Sequence, residues 1–252
     1  MIQGFFSLFQ KPSTSISVPI HPPYYEIRDK IGNLAGCISG THHNLAPNAQ
    51  FEPAPTMQKC FDRATTLLVE TDKTAVKEIM RRKLLQQGTS AQIINEHFHQ
   101  ADLKDNSIDR AWEKKAKTEH KPIKGLESPK DAFRAAMKIA IEETQTPEKQ
   151  QEKCLKWTSD FLQGSDVKTQ DYFQNCFINK KRTLPEFFDR NEVMASGINK
   201  TIQSGSLPFT AIGFGHCLGE KGVPQILKKR YGFDVREIKP NPPSLVQVPT
   251  NP

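Results

Sequence analysis

The stretch Thr65–Thr66–Leu67–Leu68–Val69–Glu70–Thr71 constrains the fold more than any other feature of the chain. Its apolar residues are consecutive rather than alternating, so as a strand it has no solvent face and needs cover on both sides. Such a strand belongs inside a mixed or parallel sheet with helices packed on it. Helical periodicity lies on either side of it. Met57, Cys60, Phe61 and Ala64 recur at i, i+3, i+4 and i+7 before it, and Val76, Ile79, Met80 and Leu84 mark a helix after it. The expected class is α/β (α+β): a central mixed sheet flanked by helices, with a helical middle segment.

The remaining elements fall around this strand. Tyr24–Arg28 and Leu34–Thr41 read as a hairpin about Asp29–Lys30–Ile31–Gly32–Asn33, where Gly-Asn sits between β-branched and aromatic runs. Pro122–Glu127 reads as a short strand. Helical patterns follow at Phe133, Ala136, Met137 and Ala140, at Leu155, Phe161 and Leu162, and at Tyr172, Phe173, Cys176 and Phe177. A longer helix starts near Pro185, a favourable first-turn residue, and runs toward Gly205. Phe209–Phe214 is a strand, Gly213–Gly222 a glycine-rich loop, Val223–Arg230 a helix stopped by Gly232, and Phe233–Ile238 a last strand. The expected organisation is an irregular leader over 1–23, a single domain over 24–239, and a Pro-rich disordered tail over 240–252.

Composition excludes several classes. With 36% hydrophobic and 25% charged residues in 252, the chain can bury a core and is not collagen-like or disordered as a whole. No apolar run approaches the roughly 18–20 residues of a membrane span. The net charge of +7, from 35 Lys and Arg against 28 Asp and Glu, permits an anionic partner. The basic residues are interleaved with acids, however: Lys114, Lys115 and Lys117 lie between Glu113 and Glu119, as on a solvated helix face. No zinc-finger spacing, RNA-binding aromatic motif or basic arm is present, so nucleic acid is not an expected partner. The five cysteines are odd in number and widely spaced, which indicates neither a disulfide framework nor a thiolate metal site. Met1–Phe9 is apolar but lacks a basic n-region and a small-residue cleavage site. A cytoplasmic location is the default expectation, with secretion that needs no cleaved signal left open.

Chemistry-bearing residues gather at predicted strand ends. Gly40–Thr41–His42–His43 and Gly213–Phe214–Gly215–His216 are two G-x-x-H patterns, each directly after a strand. Val69–Glu70–Thr71–Asp72 and Gly125–Leu126–Glu127 each place a carboxylate after a strand. Open α/β sheets hold their ligands at that edge. Neutral imidazole suits Zn²⁺, Co²⁺ or Mn²⁺, and a carboxylate adds a harder oxygen contact or takes a proton from water. Blander alternatives stand beside these. His43 also fits an ordinary hydrogen-bonded loop histidine, and Glu70 also fits a solvent-facing or capping residue before the next helix. His216–Cys217 invites a thiol nucleophile, but adjacency in sequence is not the spatial pairing that mechanism needs. Gly213-x-Gly215-x-x-x-Gly219 lacks the spacing of a dinucleotide loop. His97 and His99 read as surface residues.

In order along the chain, these segments resemble the TraB/PrgY/GumN family, related more distantly to the Tiki metalloproteases and the erythromycin-esterase-like fold. The matching segments are Ile38–His43 for the first G-x-x-H, Leu67–Asp72 for the family's VETD strand and Lys124–Ser128 for its GLET segment. They continue with Asp189–Met194 for its RN helix and Gly213–Val223 for its GAGHLxGxxG loop. Cys217 stands where the family usually has leucine, and the hairpin opens Tyr24–Tyr25–Glu26 where relatives often have tryptophan.

The resemblance implies a mixed sheet with two repeat-like halves and a metal-dependent hydrolytic site, proteolytic in the Tiki relatives. It assigns His43 and His216 as metal ligands, with His42 the alternative to His43, and Glu70 and Glu127 as ligand or general base. Arg190, with Asn191 beside it, would hold an anionic substrate group or a developing oxyanion. The expected cofactor is a divalent ion, Mn, Co or Zn. The expected reaction is cleavage of a peptide or small amide or ester substrate by metal-activated water. The alternative is a non-catalytic peptide-binding or inhibitory protein on the same fold, like the pheromone-shutdown members of the family.

Overall fold

The computed structural model describes residues 22–41, 51–104, 107–134 and 184–239. The leader through residue 21, the tail from 240, His42 and His43 lie outside the described residues. So do the helical patterns expected at Ala136–Ala140 and over 155–177.

The hairpin forms as its turn chemistry requires. Strand β1 (Tyr24–Arg28) pairs antiparallel with β2 (Leu34–Thr41). Asp29 accepts the Ile31 and Asn33 backbone N–H groups at 3.0 and 2.9 Å, and Gly32 takes the positive φ of 88° that the turn needs. Helix α1 (Pro55–Arg63) then leads into β3 (Thr66–Val69), all four of whose residues are buried. Asp72 caps α2 (Lys73–Gln86) by accepting from Thr74 and Ala75. Helices α3 (Ala91–Lys104) and α4 (Ile108–Thr118) follow, and β4 (Ile123–Gly125) returns to the sheet. The long helix α5 (Leu184–Gln203), β5 (Pro208–Gly213), a 3-10 turn (Phe214–Cys217), α6 (Val223–Tyr231) and β6 (Asp234–Glu237) complete the described chain.

The sheet order is β4-β3-β5-β2-β1-β6. β4, β3, β5 and β2 run parallel, and the β1 pairings on both sides are antiparallel. The sheet is thus mixed, and β3, between β4 and β5, is buried on both faces by the helices packed there. Alternate residues divide two cores. On one face Cys37, Leu67, Val69, Phe209 and Ala211 pack with α1 and α4 around Phe61 and Trp112. On the other, Ile38, Leu68 and Ile212 pack with Met194, Ala195 and Ile198 of α5 and Val223 and Leu227 of α6. The result is a helix–sheet–helix sandwich of the expected α/β class.

Two local departures stand out. Cys37 on β2 and Cys60 on α1 are joined as a disulfide, 23 residues apart in sequence, where the number and spacing of the cysteines indicate no disulfide framework. Their spacing carries no motif, and only the packing of α1 on the sheet brings them together. Helix α2 forms where the periodicity placed it, yet none of its residues is buried; its apolar stripe lies partly open.

Register also decides where the chemistry falls. Val69 pairs with Gly125 and Ala211, and Thr41 with Gly213. The four parallel strands therefore end at one edge, and whatever follows each of them projects there.

Candidate functional site

Backbone pairing beyond the strand ends brings the two glutamates side by side. Leu126 N–H donates to Val69 C=O and Glu127 N–H to Glu70 C=O, each at 2.9 Å. Two glycines allow the close packing this needs. A Cβ on Gly125 would sit 2.8 Å from the Asp72 nitrogen, and one on Gly197 of α5 would sit 2.7 Å from Leu126 Cδ2. Helix α5 passes over the loop that carries Glu127, where Gly197 meets the movable end of the Leu126 side chain.

Arg190, near the start of α5, joins both carboxylates. Its Nε and Nη2 donate to the two oxygens of Glu127 at 2.7 and 2.9 Å, a fork-to-fork pair, and Nη2 also reaches Glu70 Oε2 at 3.2 Å. Burial raises the Glu127 pKa above the ordinary glutamate range, and the Arg190 hydrogen bonds and charge oppose that rise. Burial works against the Arg190 charge in turn, but Glu127 and Glu70 outweigh it and raise the Arg190 pKa further. The other oxygen of Glu70 accepts the Gly213 backbone N–H at 2.5 Å. Glu70 therefore faces the site, and Asp72 fills the capping role that the sequence left open to it.

His216, in the 3-10 turn after β5, is buried. Its Nδ1 lies 2.5 Å from Asn191 Oδ1, and its Nε2 faces Glu70 Oε1 at 3.8 Å. Asn191, wholly buried, also donates from Nδ2 to the Lys221 carbonyl at 2.8 Å. The structure thus brings Glu70, Glu127, Arg190, Asn191 and His216 into one connected cluster at the carboxyl edge. His43 lies outside the described residues.

The sequence did not single out Asp109. This buried acid in the first turn of α4 accepts the Thr41 hydroxyl at 2.7 Å, at the last residue of β2. An acid in a helix first turn is ordinary, so only the tertiary contact reveals it.

Cys217, next to His216, is buried, and burial first, then the charges of Glu70 and Glu237, push its pKa well up. It stays a thiol at neutral pH. Burial likewise raises Tyr24, with a smaller contribution from Glu26. The sign of the consequence is definite. Above pH about 8.5 the unfolded cysteine releases a proton that the native one keeps, so stability falls as pH rises; Tyr24 adds to this from about pH 10. The Cys217 share comes to about 2 kcal/mol by pH 10. Comparing urea unfolding at pH 8 and 10, Cys217→Ser should lose about that much less than the wild type; equal losses would refute the assignment.

A donor set for a metal can be judged on these groups. Among the described residues no three His, Cys, Asp or Glu side chains assemble into a metal-holding group. Two of the groups present do fit one. Asn191 holds His216 through Nδ1, the outer contact that metal-ligating histidines usually make, and the opposite nitrogen faces a carboxylate oxygen. Among the described residues the Arg190 guanidinium is shared between the Glu70 and Glu127 carboxylates.

The fold and cluster define an α/β protein that gathers acid, guanidinium and imidazole at the carboxyl edge of a mixed sheet. A model of the TraB/PrgY/gumN family matches residues 88–237, more than half the chain, and the chain belongs to that family. No curated protein and no solved structure matches it. No helix among the described residues is long and apolar enough to cross a membrane.

Proposed function

We propose that the chain is a metal-dependent hydrolase acting on a peptide or small amide or ester bond. The observation that carries this reading is the approach of His216 Nε2 to Glu70 Oε1 at 3.8 Å, with the ring held from behind by Asn191. That separation is too long for a direct hydrogen bond. His216 and Glu70 would hold a Mn, Co or Zn ion, with His43 as the further ligand that the family resemblance assigns. When bound, the ion supplies Lewis acidity toward a carbonyl and lowers the pKa of water.

The chain's own groups divide the remaining work. With the oxygen facing His216, Glu70 would serve either as a ligand of that ion or as the general base that takes a proton from water. Arg190 keeps Glu70 oriented through its second oxygen and keeps a positive charge at the edge where an oxyanion would develop. Glu127, almost fully enclosed and forked onto Arg190, holds that guanidinium in place. The peptide or amide class comes from the resemblance to the proteolytic relatives.

The test is metal binding by the purified chain, followed by calorimetry with Mn²⁺, Co²⁺ and Zn²⁺ in turn. The wild type should bind in stoichiometric amount. Glu70→Gln and His216→Ala should each weaken binding by at least the 10–100-fold that loss of an outer partner alone costs (a rough range). Unchanged affinity in both variants sinks the reading. One observation favours the second reading, a non-catalytic peptide-binding or inhibitory protein: both glutamates are already ion-paired to Arg190. Turnover of a peptide library with added metal, lost in Glu70→Gln, selects the enzyme; peptide affinity without cleavage selects the binder.

A further inference from the structure

We propose that Asn191 is a positioning residue that fixes the ring tautomer of His216, keeping the proton on Nδ1 and presenting the Nε2 lone pair toward Glu70. The Lys221 backbone carbonyl decides the matter. A carbonyl oxygen only accepts, so the Asn191 atom 2.8 Å from it is the amide nitrogen. The amide oxygen is thereby turned to His216 Nδ1, 2.5 Å away. That oxygen also only accepts, so Nδ1 carries a hydrogen. In a neutral imidazole the other nitrogen then has none.

Turning the amide over would set its oxygen against the Lys221 oxygen and its N–H₂ against the ring. Asn191 is wholly enclosed, so two hydrogen bonds would be given up in a buried place where polar groups are normally paired. The lock is therefore one-way. It runs from a loop carbonyl, through one amide on α5, to a ring nitrogen in the turn after β5. In the neutral ring its outcome is that two acceptor atoms, His216 Nε2 and Glu70 Oε1, face each other at 3.8 Å. With the opposite tautomer, Nε2–H would simply donate toward Glu70. With this one, neither atom of the pair carries a hydrogen to offer the other. The proposal deepens the hydrolase reading and assigns Asn191 work inside the protein, behind the ring.

The test needs no turnover and no added metal. The 252-residue chain, labelled with ¹⁵N-histidine, is examined by two-bond ¹H–¹⁵N correlation at a pH where the ring is neutral. The His216 signals are identified by their loss in His216→Gln. In the wild type, Nδ1 should show a protonated shift and Nε2 an unprotonated one; the reverse pattern overturns the proposal whatever any variant does. In Asn191→Ala the two shifts should converge as the tautomers exchange. Asn191→Asp, which retains an acceptor, should keep Nδ1–H. A folded Asn191→Ala that keeps the wild-type shifts also overturns it. A merely structural asparagine would lower the melting temperature without moving these resonances. Failure of metal binding or turnover leaves these resonances unaffected, so the two proposals fail separately.

Discussion

Arg190→Ala is expected to lower the unfolding free energy at pH 7 by about 3–5 kcal/mol, the usual cost of stranding a buried charge. Glu127 is the residue stranded. Its side chain is only 4% exposed, and Arg190 supplies the fork that satisfies both its oxygens. Glu70 loses one contact but keeps the Gly213 N–H. The loss should depend on pH in a definite direction. Burial already raises the Glu127 pKa, and Arg190 restrains that rise. Without Arg190 the native pKa climbs further while the unfolded one stays near the ordinary value of about 4.3. Between those values the native state binds the extra proton, so stability is lost as pH rises and regained as it falls. Urea denaturation at pH 5 and pH 7 should show the deficit of the variant narrowing at the lower pH. Adding Glu127→Gln to Arg190→Ala should recover part of the loss at pH 7. A deficit that is the same at both pH values would mean that lost packing, and not an uncompensated carboxylate, sets the cost.

Much of this arrangement is legible in the sequence, and what is not has a physical reason. A continuous apolar run around Leu67–Val69 implies a doubly covered strand, and Glu70 must then leave at its end. The same logic carries Glu127 past β4 and His216 past β5. Which side chains meet is a matter of register and helix rotation, and no local pattern encodes either. Arg190 and Asn191 illustrate it. Adjacent in sequence, they suggest one shared task, yet neighbouring helical residues point about 100° apart. Arg190 accordingly reaches the glutamates, while Asn191 turns inward to His216 and Lys221. The Cys37–Cys60 pairing is hidden in the same way, because it depends on how α1 lies against β2.

Trp112→Ala is expected to cost about 3–5 kcal/mol, the range for deleting a large buried aromatic. Trp112 is fully enclosed, with ring centroids 4.8 Å from Phe61 and 4.5 Å from Phe209. Its indole N–H donates to the Ser39 hydroxyl on β2 at 3.3 Å. The ring therefore joins α1, α4, β2 and β5, and truncation opens a cavity among rigid neighbours that cannot close around it. Trp112→Phe keeps a six-membered ring in the core but removes the pyrrole edge with its N–H. It keeps most of the stacking and gives up one hydrogen bond, worth about 1 kcal/mol, so its loss should be well under half that of the alanine variant. Equal losses would show that the pyrrole edge with its bond to Ser39, and not the six-membered ring, carries the residue's effect. The consequence extends to the carboxyl edge. One turn before Trp112 on α4, Asp109 accepts from Thr41, the last residue of β2. A helix released from its anchor would slacken that contact, and amide hydrogen exchange at Gly40 and Thr41 should rise in Trp112→Ala more than the global stability loss accounts for. Protection at those amides that falls only in step with global unfolding would confine Trp112 to the core and leave the edge independent of it.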